Sequence, residues 1–378
     1  MLDAIRGLIA WTPLGLPAFL FVITLVVFFH ELGHFLVARV FGVKVDIFSV
    51  GFGREVFGWT DRAGTRWKVS WLPIGGYVKF AGDADAASRP DTAAAAQMSV
   101  AEREGALMFK PLYQRALVAA SGPLANFVLA IVLLTGILTF TGHAVVAPVI
   151  GEVAKGSPAA QAGIKVGDRV TRIDQTAITD FEQLPEIISV SNGTPLSLGI
   201  QRAGHEMTIW VTPRLTKVRD VLGNSTSQMV IGVRQSRNAT VTRETYTPVG
   251  AFAAACGETW SITRTTLLGI AQMILGHGGA DQLSGPVGIA KMTRQVADIG
   301  FLPLLNLVAI LSVSIGLANL FPIPLLDGGH LLYYGCEAVL GRPLGERAQD
   351  VGFRLGLVLV LGLMLLTTWN DLVRLNLF

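Results

Sequence analysis

Four apolar runs, at about 16–41, 116–141, 302–323 and 353–370, limit what this chain can fold into more than any other feature. Each is long enough to cross a bilayer as a helix. In lipid, every backbone amide and carbonyl must find its partner within the protein, so four spanning helices are expected. Composition agrees. Hydrophobic residues make up 51% of the 378 and charged residues only 15%, both displaced from the soluble average towards membrane proteins. Gly316, Gly356 and Gly362 mark places where the third and fourth helices approach neighbours closely, and Trp369 is an interfacial anchor. The first run is too long for the apolar stretch of a cleaved signal peptide and is expected to stay with the chain.

Lys and Arg collect beside two of the loops. Arg39, Lys44, Arg103, Lys110 and Arg115 flank 42–115, and Arg342, Arg347 and Arg354 flank 324–352. The positive-inside rule then puts both loops in the cytoplasm, with the termini and the long 142–301 segment outside. A net charge of +3 without a dense basic cluster excludes nucleic acid as a partner. Cys256 and Cys336 are the only cysteines and have no ligand spacing, so neither a disulfide framework nor a cysteine zinc site is expected.

Within the first run stands His30-Glu31-Leu32-Gly33-His34. On a helix this pattern sets two imidazoles one turn apart on one face, where both can bind a single zinc, with a glutamate beside them as base. Charged groups at such depth cost roughly 2.5–3.5 kcal/mol each and mark function. A catalytic zinc takes three protein ligands, and Asp327 is the best third. It follows Asn319-Leu320-Phe321-Pro322-Ile323-Pro324, where two prolines break the third helix and leave Asp327 on irregular backbone at the same side of the membrane as His34. Zinc lowers the pKa of a bound water to about 7 and polarises a carbonyl. Glu31 would take the water's proton and pass it to a leaving amine. Asn319 either hydrogen-bonds substrate or joins two helices. His330 is a partner of Asp327 or a helix-terminal residue, and His143, His205 and His277 are loop or surface residues.

Residues 51–81 read as strands. Arg66-Trp67-Lys68-Val69-Ser70-Trp71 alternates polar and apolar, Asp61 to Gly64 is a turn, and Gly51, Gly53, Gly75 and Gly76 punctuate the ends. They form either a surface-lying amphipathic hairpin or a strand edge beside the metal that pairs with an unwound substrate. Residues 83–104 look like a linker. Residues 147–215 form a compact β-rich module with two short helices, one entered from the turn Gly156-Ser157-Pro158-Ala159 and one at about 181–189, suited to peptide binding at a free sheet edge. Residues 248–275 are a half-apolar helix, lying on the membrane rather than crossing it because Glu258 and Arg264 interrupt it.

These motifs together resemble the site-2 protease family of intramembrane zinc metalloproteases, in its bacterial regulator of sigma-E protease branch. The resemblance rests on His30-Glu31-x-x-His34, Gly51-Phe52-Gly53, Pro73-Ile74-Gly75-Gly76-Tyr77-Val78-Lys79, Ser121-Gly122-Pro123-x-x-Asn126, Ser284-Gly285-Pro286-Val287-Gly288 and Leu326-Asp327-Gly328. It implies a polytopic α-helical membrane protein with a membrane-associated β-hairpin region and one inserted PDZ domain. The division is then 1–141 for the first two spans, 147–215 for the PDZ domain, 216–301 for linker and amphipathic helix, and 302–378 for the last two spans. It implies Zn2+ held by His30, His34 and Asp327, Glu31 as the catalytic base, and substrate contacts from Asn319, Gly51, Gly53, Gly75 and Gly76. The substrate is expected to be a single-pass membrane protein already cut outside by another protease, and its cleavage to free a cytoplasmic fragment. The active site faces the cytoplasm from the bacterial inner membrane, with the PDZ domain periplasmic. The competing expectation is a catalytically inactive membrane-tethered PDZ module.

Overall fold

A computed structural model describes residues 14–83, 97–219, 225–236, 239–275 and 283–374. Two compact units make up the chain, one mainly 1–134 with 285–372 and the other mainly 135–284. Four described helices are long and apolar enough to cross a membrane.

Helix α1 (Gly15–Val40) covers the first apolar run, with Arg39 in its last turn complementing the helix dipole. It is followed by strands β1 (Val45–Thr60) and β2 (Arg66–Phe80). The turn between them is built on Asp61, whose Oδ1 accepts from the Ala63 and Thr65 amides at 2.9 and 3.0 Å, while the Trp67 indole donates to Oδ2 at 3.1 Å. The first half of β1 is flanked on both sides. Phe48 lies opposite Val78 in one direction and Trp67 in the other, and the second half of β1 pairs with 66–72. Gly51 stands at the changeover with φ +88, and a Cβ there would lie 2.7 Å from the Leu72 carbonyl oxygen. Phe48 stacks on Trp67, and Phe35 of α1 meets both edge-on, at centroid distances of 4.3, 5.6 and 5.0 Å. This aromatic core, with Val45, Val78 and Phe80, fastens the strands to α1. Val56, Phe57 and Trp71 remain exposed on the hairpin.

Within the segment read as a linker, 84–96 lie outside the described residues, and its end holds helix α2 (Val100–Gly105) behind a Ser99–Glu102 capping box. Helix α3 (Leu112–Thr141) is the second apolar helix. In lipid, apolar side chains gain nothing by choosing each other over acyl chains, so close packing of small residues has to hold helices together. Gly33 shows this. A Cβ there would come within 2.3 Å of the Ser121 carbonyl oxygen, so α1 and α3 touch backbone to backbone.

The second unit begins with β3 (His143–Val146) and β4 (Ile150–Val153), followed by helix α4 (Pro158–Gln161). Then come β5 (Arg169–Ile173), β6 (Thr176–Ala177), helix α5 (Gln183–Ser189), β7 (Leu196–Arg202) and β8 (His205–Val211). Strands β9 (Arg214–Arg219), β10 (Ser225–Val230), β11 (Val233–Gln235) and β12 (Val241–Glu244) complete it before helix α6 (Pro248–Ile274). The main sheet is antiparallel in the order β6-β5-β7-β8. Ile150, Val170, Leu198 and Ile200 are fully buried beneath it, each contributing about 1.5–3 kcal/mol by leaving water. The turn into β5 is locked by Asp168, which accepts from Nε and a terminal nitrogen of Arg202, both at 2.7 Å, and from the Lys165 amide at 2.8 Å.

The strands β9 to β12 were not expected; 216–244 read as linker. They belong to the module, because β11 pairs with β4, β12 pairs with β3, and Ile231 is in the buried core. Their sequence hides this: across the β9–β10 ladder Arg219 lies opposite Ser225, Lys217 opposite Ser227 and Thr216 opposite Gln228, polar residue against polar residue.

Beyond the insert lie α7 (Pro286–Ile299), α8 (Phe301–Asn319), α9 (Asp327–Leu340) and α10 (Glu346–Arg374). Val296 and Ala297 of α7 pack against a cluster containing Ala18 and Val22 of α1. The N-terminus of α7 is held from a distance: the buried Asp371 carboxylate accepts from the Gly285 amide at 3.1 Å and the Gly288 amide at 2.7 Å. The third spanning helix stops at Asn319 rather than 323, ahead of Pro322 and Pro324. The fourth starts at Glu346 rather than 353, since Glu, Arg and Gln extend a helix well before its apolar run begins. What read as a loop over 324–352 therefore contains the whole of α9.

Candidate metal centre

The geometry of α1 turns the His30-Glu31-x-x-His34 pattern into a site. One turn apart, the two imidazoles are both buried, and their Nε2 atoms face each other at 3.3 Å. His34 is fixed from behind, its Nδ1–H donating to the Val118 carbonyl of α3 at 2.7 Å, which leaves Nε2 free as a lone-pair donor. Room for the ring depends on Gly122.

Asp327 arrives from the far end of the chain. The sequence placed it on irregular backbone; in the structure the irregular stretch is 320–326, and Asp327 is the first residue of α9. Leu325 carries φ +105, a strained value held by the surrounding turn. Gly328 and Gly329 make the turn possible, since a Cβ on either would collide with the Leu320, Phe321 or Ile323 carbonyl oxygens at 2.2–2.4 Å. A carboxylate at the first position of a helix also sits at the favourable end of its dipole.

The three side chains meet. His30 Nε2 lies 3.1 Å from Asp327 Oδ2, and His34 Nε2 lies 3.4 Å from Oδ1. One donor atom from each falls within 4.8 Å of the others. A tetrahedral zinc with bonds of about 2.0–2.1 Å has ligand–ligand edges of about 3.3–3.4 Å, and the 3.3 Å between the two imidazole Nε2 atoms matches one such edge. Buried Asp327 Oδ2 makes no hydrogen bond of its own, as a metal-facing oxygen would not. The donor set of two imidazoles and one carboxylate suits zinc chemically.

Glu31 lines the same cavity, as does Val78 of β2. Gly76, Tyr77 and Val78 form one wall, and Asn319 stands on another as the last residue of α8. Of the four glycines expected near substrate, only Gly76 lines this cavity. Gly51 answers to the strand changeover described above, a Cβ on Gly75 would strike the Phe52 ring at 2.4 Å, and Gly53 lies near Trp71.

Sequence reasoning missed several lining groups. Arg115 makes a two-pronged ion pair with Glu337, at 3.0 and 2.5 Å, and its guanidinium lies 5.1 Å from the Tyr334 ring centroid. Arg115 had been counted only as a loop-flanking charge. His330, on the first turn of α9, also faces the cavity. Asn126 belonged to a recognised motif without a role; it is fully buried, with Nδ2 3.3 Å from His30 Nδ1.

Comparison with known proteins gives a consistent result. The model of peptidase family M50 matches residues 18–363. A protein of Agrobacterium fabrum named as a zinc metalloprotease is 43% identical over 355 residues, covering 94% of each chain. One of Rhizobium meliloti, named likewise, is 44% identical over 358 residues, covering 94% of this chain and 96% of its own. The metalloprotease MmpA of Caulobacter vibrioides is 38% identical over 385 residues and 96% of both chains.

Proposed function

The chain belongs to peptidase family M50, the site-2 protease family of zinc metalloproteases, and from that premise we propose that it cleaves single-pass membrane proteins within their membrane-spanning segment. The observation that carries this reading is the convergence of His30, His34 and Asp327 beside Glu31, in a cavity walled by a strand, on helices apolar enough to lie in a bilayer.

His30, His34 and Asp327 hold the zinc. When bound, zinc polarises the scissile carbonyl and makes a water acidic enough to attack near neutral pH. Glu31 takes the proton of the attacking water and returns it to the leaving amine. Asn319, which also lines the cavity, donates its side-chain amide to the substrate backbone. A helical substrate buries its amides in its own hydrogen bonds and must be drawn out before its carbonyl is accessible. The 76–80 segment, flanked by β1 on one side, supplies an edge along which an extended segment pairs.

The module of the second unit acts as a PDZ domain on the periplasmic side, admitting substrates already trimmed by another protease. Cleavage then frees a cytoplasmic fragment of an anti-sigma-factor-like protein, in regulated intramembrane proteolysis at the bacterial inner membrane. Reconstitution in proteoliposomes with a single-span reporter tests the assignment. The wild-type chain is expected to cut within the span, and Glu31→Gln to bind zinc but cut at least about 100-fold more slowly. Unchanged cleavage by Glu31→Gln would remove the glutamate from the chemistry and leave the tethered PDZ module as the better account.

A further inference from the structure

We propose that Asn126 is a positioning residue for His30, its carboxamide oxygen accepting the Nδ1–H of that ring whenever Nε2 faces the metal. The inference rests on the zinc-site reading above and extends it to a residue outside the ligand set.

The two histidines are held differently. His34 has an unambiguous acceptor behind it, the Val118 carbonyl, which places the proton on Nδ1. Behind His30 stands Asn126, with Nδ2 drawn 3.3 Å from Nδ1. In that orientation the amide donates, Nδ1 accepts, and the ring proton sits on Nε2. That arrangement follows from the amide's orientation alone. It is incompatible with Nε2 as a ligand, because a ligating nitrogen has no proton.

The amide itself offers the remedy. Asn126 Oδ1 is buried and has no hydrogen-bond partner. Oxygen and nitrogen of a carboxamide exchange places by a half-turn about its last side-chain bond, and the two orientations have the same shape. After that turn Oδ1 faces His30 Nδ1, the ring carries its proton there, and Nε2 opens to the ion. Asn126 thus fits the ligating form of His30, its oxygen accepting the Nδ1–H of the ring.

The residue is held where this requires. Its backbone carbonyl accepts from the Ser312 hydroxyl of α8 at 2.9 Å, and Gly316 lies so close that a Cβ there would be 3.0 Å from Asn126 Cβ. Two helices therefore fix the side chain that orients a ligand on a third.

Zinc affinity of the detergent-solubilised full chain, measured by chelator competition, tests the inference. Asn126→Leu, of similar volume and without an acceptor, is expected to bind zinc about 10–100-fold more weakly. Asn126→Asp, which keeps an acceptor, is expected to bind at or above wild-type affinity. Selective 15N-histidine spectra of the zinc-loaded protein should show the His30 proton on Nδ1 in the wild type and in Asn126→Asp. Wild-type affinity in a folded Asn126→Leu chain, or an equal loss in both variants, overturns the proposal. If Asn126→Leu does not fold, Asn126→Asp decides alone, a tenfold loss counting against. His30→Ala separates the two levels: if it retains wild-type zinc affinity the metal-site reading itself fails, whereas loss in His30→Ala with none in Asn126→Leu removes only the role of Asn126.

Discussion

Gly122 stands so close to His34 that a Cβ added to it would lie 2.2 Å from the imidazole Nε2. The ring cannot retreat, because its Nδ1–H is held by the Val118 carbonyl. The glycine of the Ser-Gly-Pro motif in α3 is therefore a space reserved for a ligand on α1. Gly122→Ala is expected to displace the ring and weaken zinc binding at least about tenfold, since ligand geometry tolerates little displacement. Chelator competition reads the effect, and wild-type affinity in Gly122→Ala would sink it.

The Arg115–Glu337 pair is largely removed from solvent, each side chain 15% exposed. Breaking such a pair strands a buried charge, at a cost of about 3–5 kcal/mol, whereas replacing both partners with apolar residues is often neutral. Glu337→Gln should lower the melting temperature in detergent markedly, and the double variant Arg115→Met, Glu337→Met should recover most of it. A double variant no better than the single one would show that the pair does not act as a unit.

In the inserted module, burial alone would raise the Asp168 carboxyl, but the Arg202 guanidinium and the Lys165 amide outweigh it and hold its pKa below the ordinary 3.8. A carboxylate depressed in the folded state contributes stability above its unfolded pKa and loses it as pH falls through the folded one. Amide exchange protection across 150–211 should stay level from neutral pH to about 5 and drop below about 4. Asp168→Asn should be less stable at neutral pH and lose that acid step. Persistence of the step in the variant would assign it to another group.

The reassignment of 216–244 has a direct consequence. Ile231→Ala should destabilise the module by about 2–5 kcal/mol, the usual cost of emptying a core site. A fragment of 142–215 should remain unfolded in water where 142–246 folds, as judged by dispersed amide resonances. A folded short fragment would return β11 and β12 to the status of linker.

Sequence patterns reported most reliably where chemistry and chain position coincide. His30 and His34 were legible because four residues make one helical turn, and Asp327 because two prolines and two glycines mark a sharp turn at a span end. Strands β5, β7 and β8 fall within the segment that reads as a compact β-rich module. Asn126, Arg115 and Glu337 were not legible, because their meaning depends on which helices lie side by side. Strands β9 to β11 were hidden by polar sequence, and α9 by the two prolines that precede it.

Asp371, near the end of α10, grips two amides at the start of α7, whose own Val296 and Ala297 complete the packing around Ala18 and Val22. Assembly thus closes in a circle: α1 cannot be fully seated until α10 is in place. A chain halted before residue 371 leaves the Gly285 and Gly288 amides without that carboxylate and α7 without its clasp, so the membrane unit closes only after α10 has been made.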